Sequence, residues 1–308
     1  MCRLKNGRRG DRLRCWFQRA ALMEHRLQCS FIMWKHWTVR ASTPHEPFKD
    51  FETAQWTWAA LMRLFPEHVA AVVMPNHFHI LLPEEAKSEN IPQKMGAFIA
   101  TISKQKRLEK LWQKIPAPAL IPDHYHLRRQ VRYLALNPCR KGLCADPLEW
   151  LWSSYREAMG AAVVSKDFGG RLAQSLRLSH AGFRVRFHSY VSGDPSVKVA
   201  GTPPPIPASP HVWAEHSITE VLRASAAALR LHPSEVRHRG PLRILFVHMA
   251  KRHGWGRIKL LAEFCKITSC AVIKILHYSS PEGIDAADLC LGDVRLTSAL
   301  KESFDLLN

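Results

Sequence analysis

From residue 28 to residue 140 the chain alternates short apolar runs with longer amphipathic ones. Residues 28–40, QCSFIMWKHWTVR, are aromatic and β-branched and predict a strand; 53–65, TAQWTWAALMRLF, repeats apolar residues at spacings of three and four and predicts a helix. The apolar run 69–74, VAAVVM, predicts a strand, Pro75 and Asn76 a turn, and 77–82, HFHILL, a second strand. Helical periodicity returns over 95–111 and 124–136. The latter helix is expected to stop near Asn137, because Pro138 disfavours helical backbone in the residue before it. Strand, helix, two strands, helix is the order of a ferredoxin-like unit, an α+β fold with an antiparallel sheet and helices on one face. Its closing strand has to fall between Leu120 and His124, where the sequence has little pattern.

Residues 192–210, SGDPSVKVAGTPPPIPASP, are too rich in Pro, Gly and Ser to sustain a ladder or a helix interior and mark a seam. Beyond it, helices are expected over 242–253, 257–265 and 269–278. Two short helices across a tight break at 266–268, behind a longer support helix, have the pattern of a helix-turn-helix, with Ser269 as a cap. In that reading Lys274 and His277 contact phosphate or bases, and Lys251, Arg252 and Arg257 position the backbone. A small helical bundle for protein contacts is the other reading. The expected organisation is a basic arm over 1–24, a mixed α/β domain over 25–160, an extension and Pro-rich linker over 161–212, and a small all-helical, helix-turn-helix-like domain over 213–308.

Composition narrows the partner. With 46% hydrophobic residues and ten tryptophans among 308, the chain is not globally disordered. Its 44 Lys and Arg against 26 Asp and Glu give a formal charge of +18, which points to a polyanion. Residues 1–40 carry ten basic and two acidic groups and 90–160 carry twelve and five, whereas 201–308 carry thirteen and ten. The polyanion is therefore expected on the first part, with Arg8, Arg9, Arg12 and Arg14 adding nonspecific attraction. Eight cysteines without a CxxC pair give neither a disulfide framework nor a zinc finger; Cys139 and Cys144, like Cys265 and Cys270, have four residues between them, and the second pair has no His at finger spacing. No apolar run approaches eighteen residues and the start has no signal-peptide core, so a cytoplasmic, nucleoid-associated protein without a membrane partner is expected.

His77 and His79, two apart on a strand, leave the same face while Phe78 points to the other. Two neutral imidazoles side by side begin a divalent metal site, although the pair alone is also what a solvated sheet face can carry. Tyr133 and Asn137 sit one helical turn apart, so an amide oxygen could serve as third ligand with a phenol beside it. A phenol is a weak nucleophile at its ordinary pKa, near 10; a metal that polarises phosphate makes its attack on phosphorus feasible. Arg128, Arg129 and Arg132 share that helix and could contact phosphate or favour the phenolate. Trp150, Trp152 and Tyr155 are aromatic faces suited either to stacking on bases or to core packing.

MPNHFHILL at 74–82, LWQ at 111–113, RYLALNPCRKGL at 132–143 and WSSYREAMG at 152–160 resemble, in order and spacing, the REP-associated tyrosine transposases, a group of the HUH single-strand endonucleases. The resemblance spans residues 25–160. It implies a ferredoxin-like core, a metal pair at His77 and His79 around Phe78, and Mg²⁺ or Mn²⁺ as cofactor. It also implies that Tyr133 attacks single-stranded DNA at a 5′ phosphate near an imperfect hairpin, with Asn137 where relatives place a polar third ligand. The first strand departs from the family, carrying Phe31, Met33 and Trp34 where a Tyr-His opening is usual, and residues 86–112 are short and proline-interrupted; both departures concern substrate positioning. The leading reading is a transposase that cuts and rejoins single strands through a phosphotyrosine link, with the helical module assisting duplex or hairpin binding. A catalytically inactive DNA-binding regulator of the same fold and a metal-dependent hydrolase using water are the alternatives, and the sequence does not choose between monomer and homodimer.

Overall fold

A computed structural model describes residues 33–84, 90–108, 110–163, 168–199, 203–204 and 214–300. The basic arm and Phe31 lie outside the described residues. The first part runs β1 (Trp34–Arg40), α1 (Phe51–Leu64), β2 (Ala70–Met74), β3 (His77–Pro83), α2 (Ile91–Lys106) and β4 (Ala119–Ile121). The strands form one antiparallel sheet in the order β2-β3-β1-β4, so each crossover helix carries the chain past one intervening strand, as in a ferredoxin-like unit.

Register decides which side chains share a face. Thr38 pairs with His79, Arg40 with His77 and His36 with Leu81, and directly opposed residues point the same way. One face therefore carries His36, Thr38, Arg40, His77 and His79, while Trp37, Val39, Phe78 and Ile80 belong to the other. That second face meets the crossover helices: Phe98 of α2 packs on Phe78 with ring centroids 5.8 Å apart and stacks on Trp56 of α1 at 5.6 Å. Asp50 caps α1 by accepting from the Thr53 amide and pairs with Lys106 at 2.6 Å, tying the two helices together.

The histidine face is covered by α3 (His124–Arg140), whose first residue meets Trp34 edge to face at 4.9 Å. Helices thus flank both sides of the sheet, and the expectation of helices on one face holds only for the two crossover helices. The physical reason is the apolar stripe Leu127, Val131, Leu134 and Ala135, all buried, which needs a surface to cover. The helix also runs past Pro138 to Arg140. Burial of every residue from Leu134 to Pro138 outweighs the pre-proline restriction at Asn137, and the Lys141 amide closes the end on the Asn137 and Pro138 carbonyls. The closing strand sits slightly earlier than expected, because Pro122 lacks the N–H needed to extend the ladder.

After α3, Trp152 to Ser154 line the free edge of β2, with the Val73 amide donating to the Trp152 carbonyl at 2.9 Å, and lead into α4 (Ser154–Ala158). Trp152 and Tyr155 are buried core residues, so the structure uses them for packing rather than as open stacking faces. The stretch read as an extension holds α5 (Phe168–Ser175) and α6 (Phe183–Ser192). The all-helical region comprises α7 (Ile218–Leu229), α8 (Pro241–Arg252), α9 (Ile258–Cys265), α10 (Ser269–Tyr278) and α11 (Ile284–Gly292), with 3-10 turns at Pro233–Arg237 and Val294–Leu300. Ser217 and Glu220 form a reciprocal capping box on α7. The cap of α10 is Thr268, which accepts from the Ala271 amide; Ser269 is the first helical residue.

The two parts share one apolar core running from Trp34 to Leu300. Two buried arginines cross between them. Arg156 donates to the Leu148 and Leu296 carbonyls, both at 2.8 Å, and Arg230 to the Leu151 and Ser153 carbonyls and the Glu157 carboxylate at 2.8–2.9 Å. Burial alone would push the Glu157 carboxyl up, but Arg230 and His68 outweigh it and hold the group below its ordinary range. Among the described residues no helix is long and apolar enough to cross a membrane.

Candidate active site

The tight turn at Pro75–Asn76 places His77 at the very start of β3, where Asn76 Oδ1 accepts from His77 Nδ1 at 2.6 Å. With Nδ1 donating, the Nε2 of His77 is left as a lone pair. His79 lies next on that face, its ring 4.8 Å from that of His77. Its Nδ1 is 3.0 Å from His36 Nε2 and 2.9 Å from the Thr38 hydroxyl, while its Nε2 is buried with no hydrogen-bond partner. Burial pushes the pKa of His36 down to about 4. It does the same to His77, to about 4 with help from Arg40 and Lys141, and to His79, to about 2 with help from His77, His36 and Arg40. All three rings are therefore neutral at pH 7, the form in which imidazole binds metals.

Tyr133 leaves α3 toward the same place. Its ring centroid is 6.1 Å from that of His79, edge to face, and the Arg140 guanidinium lies 5.1 Å over its ring. The ring is 39% exposed and lines a cavity of about 590 Å³ together with His36, Gln130, Arg129, Arg132 and Arg140. One turn further along, Asn137 is buried and its Nδ2 has no partner. Neutral imidazole and amide oxygen are donors that a divalent cation takes, and the two buried polar atoms left without partners, His79 Nε2 and Asn137 Nδ2, would fit that use once the amide is turned to present its oxygen. Among the described residues no three His, Cys, Asp or Glu side chains cluster as a metal site, so an amide would have to supply the third ligand.

The arginines expected to meet DNA separate into two groups. Arg129 and Arg132 line the cavity beside Tyr133; Arg128 turns away and donates to the Leu176 carbonyl at 2.8 Å. Arg132 and Arg140 both pair with Asp194, at 3.1 and 2.9 Å, so a carboxylate from beyond α6 occupies the cations that flank the tyrosine. In the helical region Lys251, Arg257, Lys274 and His277 are exposed, whereas Arg252 pairs with Asp288 at 3.0 Å. Cys139 and Cys144 are free, with sulfurs 3.6 Å apart.

Sequence reasoning missed His36, Thr38, Gln130, Arg140 and Asp194. The first two carry a signal only once the β1–β3 register is known, since they stand across the sheet from the histidine pair. Gln130 lies three residues before Tyr133, hence on its face of the helix, with its side-chain amide 3.1 Å from His36 Nδ1.

No family model matches the chain. A putative REP-associated tyrosine transposase of Haemophilus influenzae is 24% identical over 118 residues, covering 34% of this chain and 67% of that protein. A solved structure of a REP-associated tyrosine transposase bound to a REP hairpin aligns with 42% of this chain and 79% of its own at 18% identity, with a TM-score of 0.36. The similarity to the H. influenzae protein is weak and covers about a third of this chain.

Proposed function

We propose that this protein is a metal-dependent transposase that cuts and rejoins single-stranded, hairpin-associated DNA through a covalent 5′-phosphotyrosine at Tyr133. The observation that carries the reading is the approach of the partly exposed Tyr133 ring to the buried His79 ring, 6.1 Å between centroids, with Tyr133 lining a cavity beside Arg129, Arg132 and Arg140. The partial similarity to the H. influenzae protein agrees with it. His77, His79 and Asn137 would hold Mg²⁺ or Mn²⁺, which when bound supplies Lewis-acid polarisation of the phosphate.

The protein's own groups do the rest. Arg129 and Arg132 hold the strand by its phosphates, with Arg140 behind the tyrosine ring. The Tyr133 oxygen bonds to phosphorus and gives up its proton to solvent, and the bond to the 3′ oxygen breaks, leaving a free 3′ hydroxyl after protonation. Attack by a 3′ hydroxyl on the phosphotyrosine reverses these steps and joins strands, since the ester preserves the bond energy. In this reading α9 and α10 form the helix-turn-helix, with Lys274 and His277 on its outer face, Lys251 and Arg257 against the backbone of duplex DNA, and Arg252 there only after release from Asp288.

The test is incubation of the full chain with 5′- and 3′-labelled hairpin oligonucleotides and Mn²⁺, followed by denaturing electrophoresis. A denaturation-resistant adduct that vanishes in Tyr133→Phe and in His77→Ala is expected. Cleavage that persists in Tyr133→Phe but needs both histidines would assign the attack to water. Binding without any cleavage would leave a DNA-binding regulator.

A further inference from the structure

Behind the His77–His79 pair, the histidine face holds a line of polar contacts that leads from the cavity to His79. Gln130 Nε2 lies 3.1 Å from His36 Nδ1, His36 Nε2 lies 3.0 Å from His79 Nδ1, and the Thr38 hydroxyl lies 2.9 Å from the same His79 nitrogen. The line ends at His79 Nε2, buried and without a partner. Its other end, His36 and Gln130, opens on the cavity that Tyr133 lines.

A neutral imidazole has one N–H and one lone pair, so each ring passes its choice to the next. If the Gln130 amide nitrogen donates to His36 Nδ1, then His36 Nε2 carries a proton toward His79 Nδ1, and His79 is left with an N–H at its buried Nε2. If the amide is turned so that its oxygen accepts from His36 Nδ1–H, then His36 Nε2 accepts from His79 Nδ1–H, and His79 Nε2 is a lone pair. The Thr38 hydroxyl serves either arrangement, because it can donate or accept. Passing from the first arrangement to the second moves the His36 Nε2 proton to His79 Nδ1. His79 Nε2 loses its proton to water, His36 Nδ1 takes one from cavity water, and the charge is unchanged.

We propose that His36, held by Gln130 and assisted by Thr38, is a positioning residue that sets the tautomer of His79, and through it whether Nε2 is offered as a lone pair to a divalent cation. The cation part rests on the metal site of the proposed function; the tautomer part does not. Because Gln130 and Tyr133 share one face of α3, seating of the helix that brings the nucleophile also engages His36 Nδ1.

The test uses the metal-free full chain labelled with ¹⁵N-histidine, whose ring nitrogens report each tautomer by NMR, and a Mn²⁺ titration followed by electron paramagnetic resonance. The parent is expected to hold His79 in one tautomer. His36→Phe and Gln130→Met are expected to mix the two tautomers and weaken Mn²⁺ binding by about 10- to 100-fold, the usual effect of removing a partner behind a metal-bound histidine. The thermal midpoint should hold, and His36→Gln, which keeps an acceptor toward His79 Nδ1, should restore most of the affinity. Should His36→Phe not fold, Gln130→Met carries the same comparison. An identical His79 tautomer population in the parent and every variant overturns the proposal. If the parent takes up no Mn²⁺ while the tautomer still follows the variants, the metal site falls and control of His79 by His36 stands.

Discussion

The His79 and Tyr133 rings meet edge to face with centroids 6.1 Å apart, one rising from the sheet and the other from the helix laid over it. Packing holds them there. Leu127, Val131 and Leu134 bury the inner face of α3, Trp34 fixes its first residue, and Arg140 stands over the outer side of the tyrosine ring. The approach therefore depends on two independent elements keeping their seats, and the rest of the core bears on it.

Arg230 joins the helical region to the segment lining the sheet edge, and it is fully enclosed with Glu157. Arg230→Met leaves the Glu157 carboxylate and two carbonyls without their main partner. A loss of about 3–5 kcal/mol is expected, as for other buried pairs broken on one side. Urea denaturation reads this directly, and a loss under about 1 kcal/mol would show that the two parts do not depend on this contact.

Glu157 also makes stability pH-dependent. Its pKa in the folded protein lies below the ordinary 4.5, so its contribution is fully present above that value and is lost as pH falls through the depressed one. Glu157→Gln should lower stability at pH 7 and flatten the acid limb below pH 4.5. Urea midpoints across pH 3 to 7 check it; parallel curves for parent and variant would contradict the assignment.

Asp194 pairs with both Arg132 and Arg140, and hydrogen bonds from Ser196, then these arginines, keep its carboxyl below the ordinary range, hence charged at pH 7. If those arginines meet phosphates, Asp194→Asn frees them. Single-strand binding should tighten, and the slope of log affinity against log salt should steepen by about 0.7 for each additional phosphate neutralised. Fluorescence anisotropy with a short oligonucleotide at several salt concentrations measures both; an unchanged slope would place the strand elsewhere.

The local patterns that place the site were legible, and its long-range partners were not. Alternation in HFHILL correctly separates the two histidines from Phe78, and the four-residue step from Tyr133 to Asn137 correctly places them one turn apart, because both depend on local geometry alone. His36 was hidden in an aromatic-rich strand, since its value comes from a neighbour forty-three residues away. Pro138 misled for the opposite reason: a valid local rule was overridden by burial of the last turns of α3. Asp194 fell in the Pro-, Gly- and Ser-rich stretch read as a linker, and its pairing with Arg132 and Arg140 is a long-range contact that leaves no local pattern.

The most direct measurement is the mass of one peptide. After reaction with a hairpin oligonucleotide and Mn²⁺, nuclease digestion and trypsin, the peptide Tyr133–Arg140, released after Arg132, should carry a 5′-linked nucleotide on the tyrosine oxygen. A nucleotide on any other residue, or cleaved DNA with this peptide unmodified at every time point, would contradict the role assigned to Tyr133.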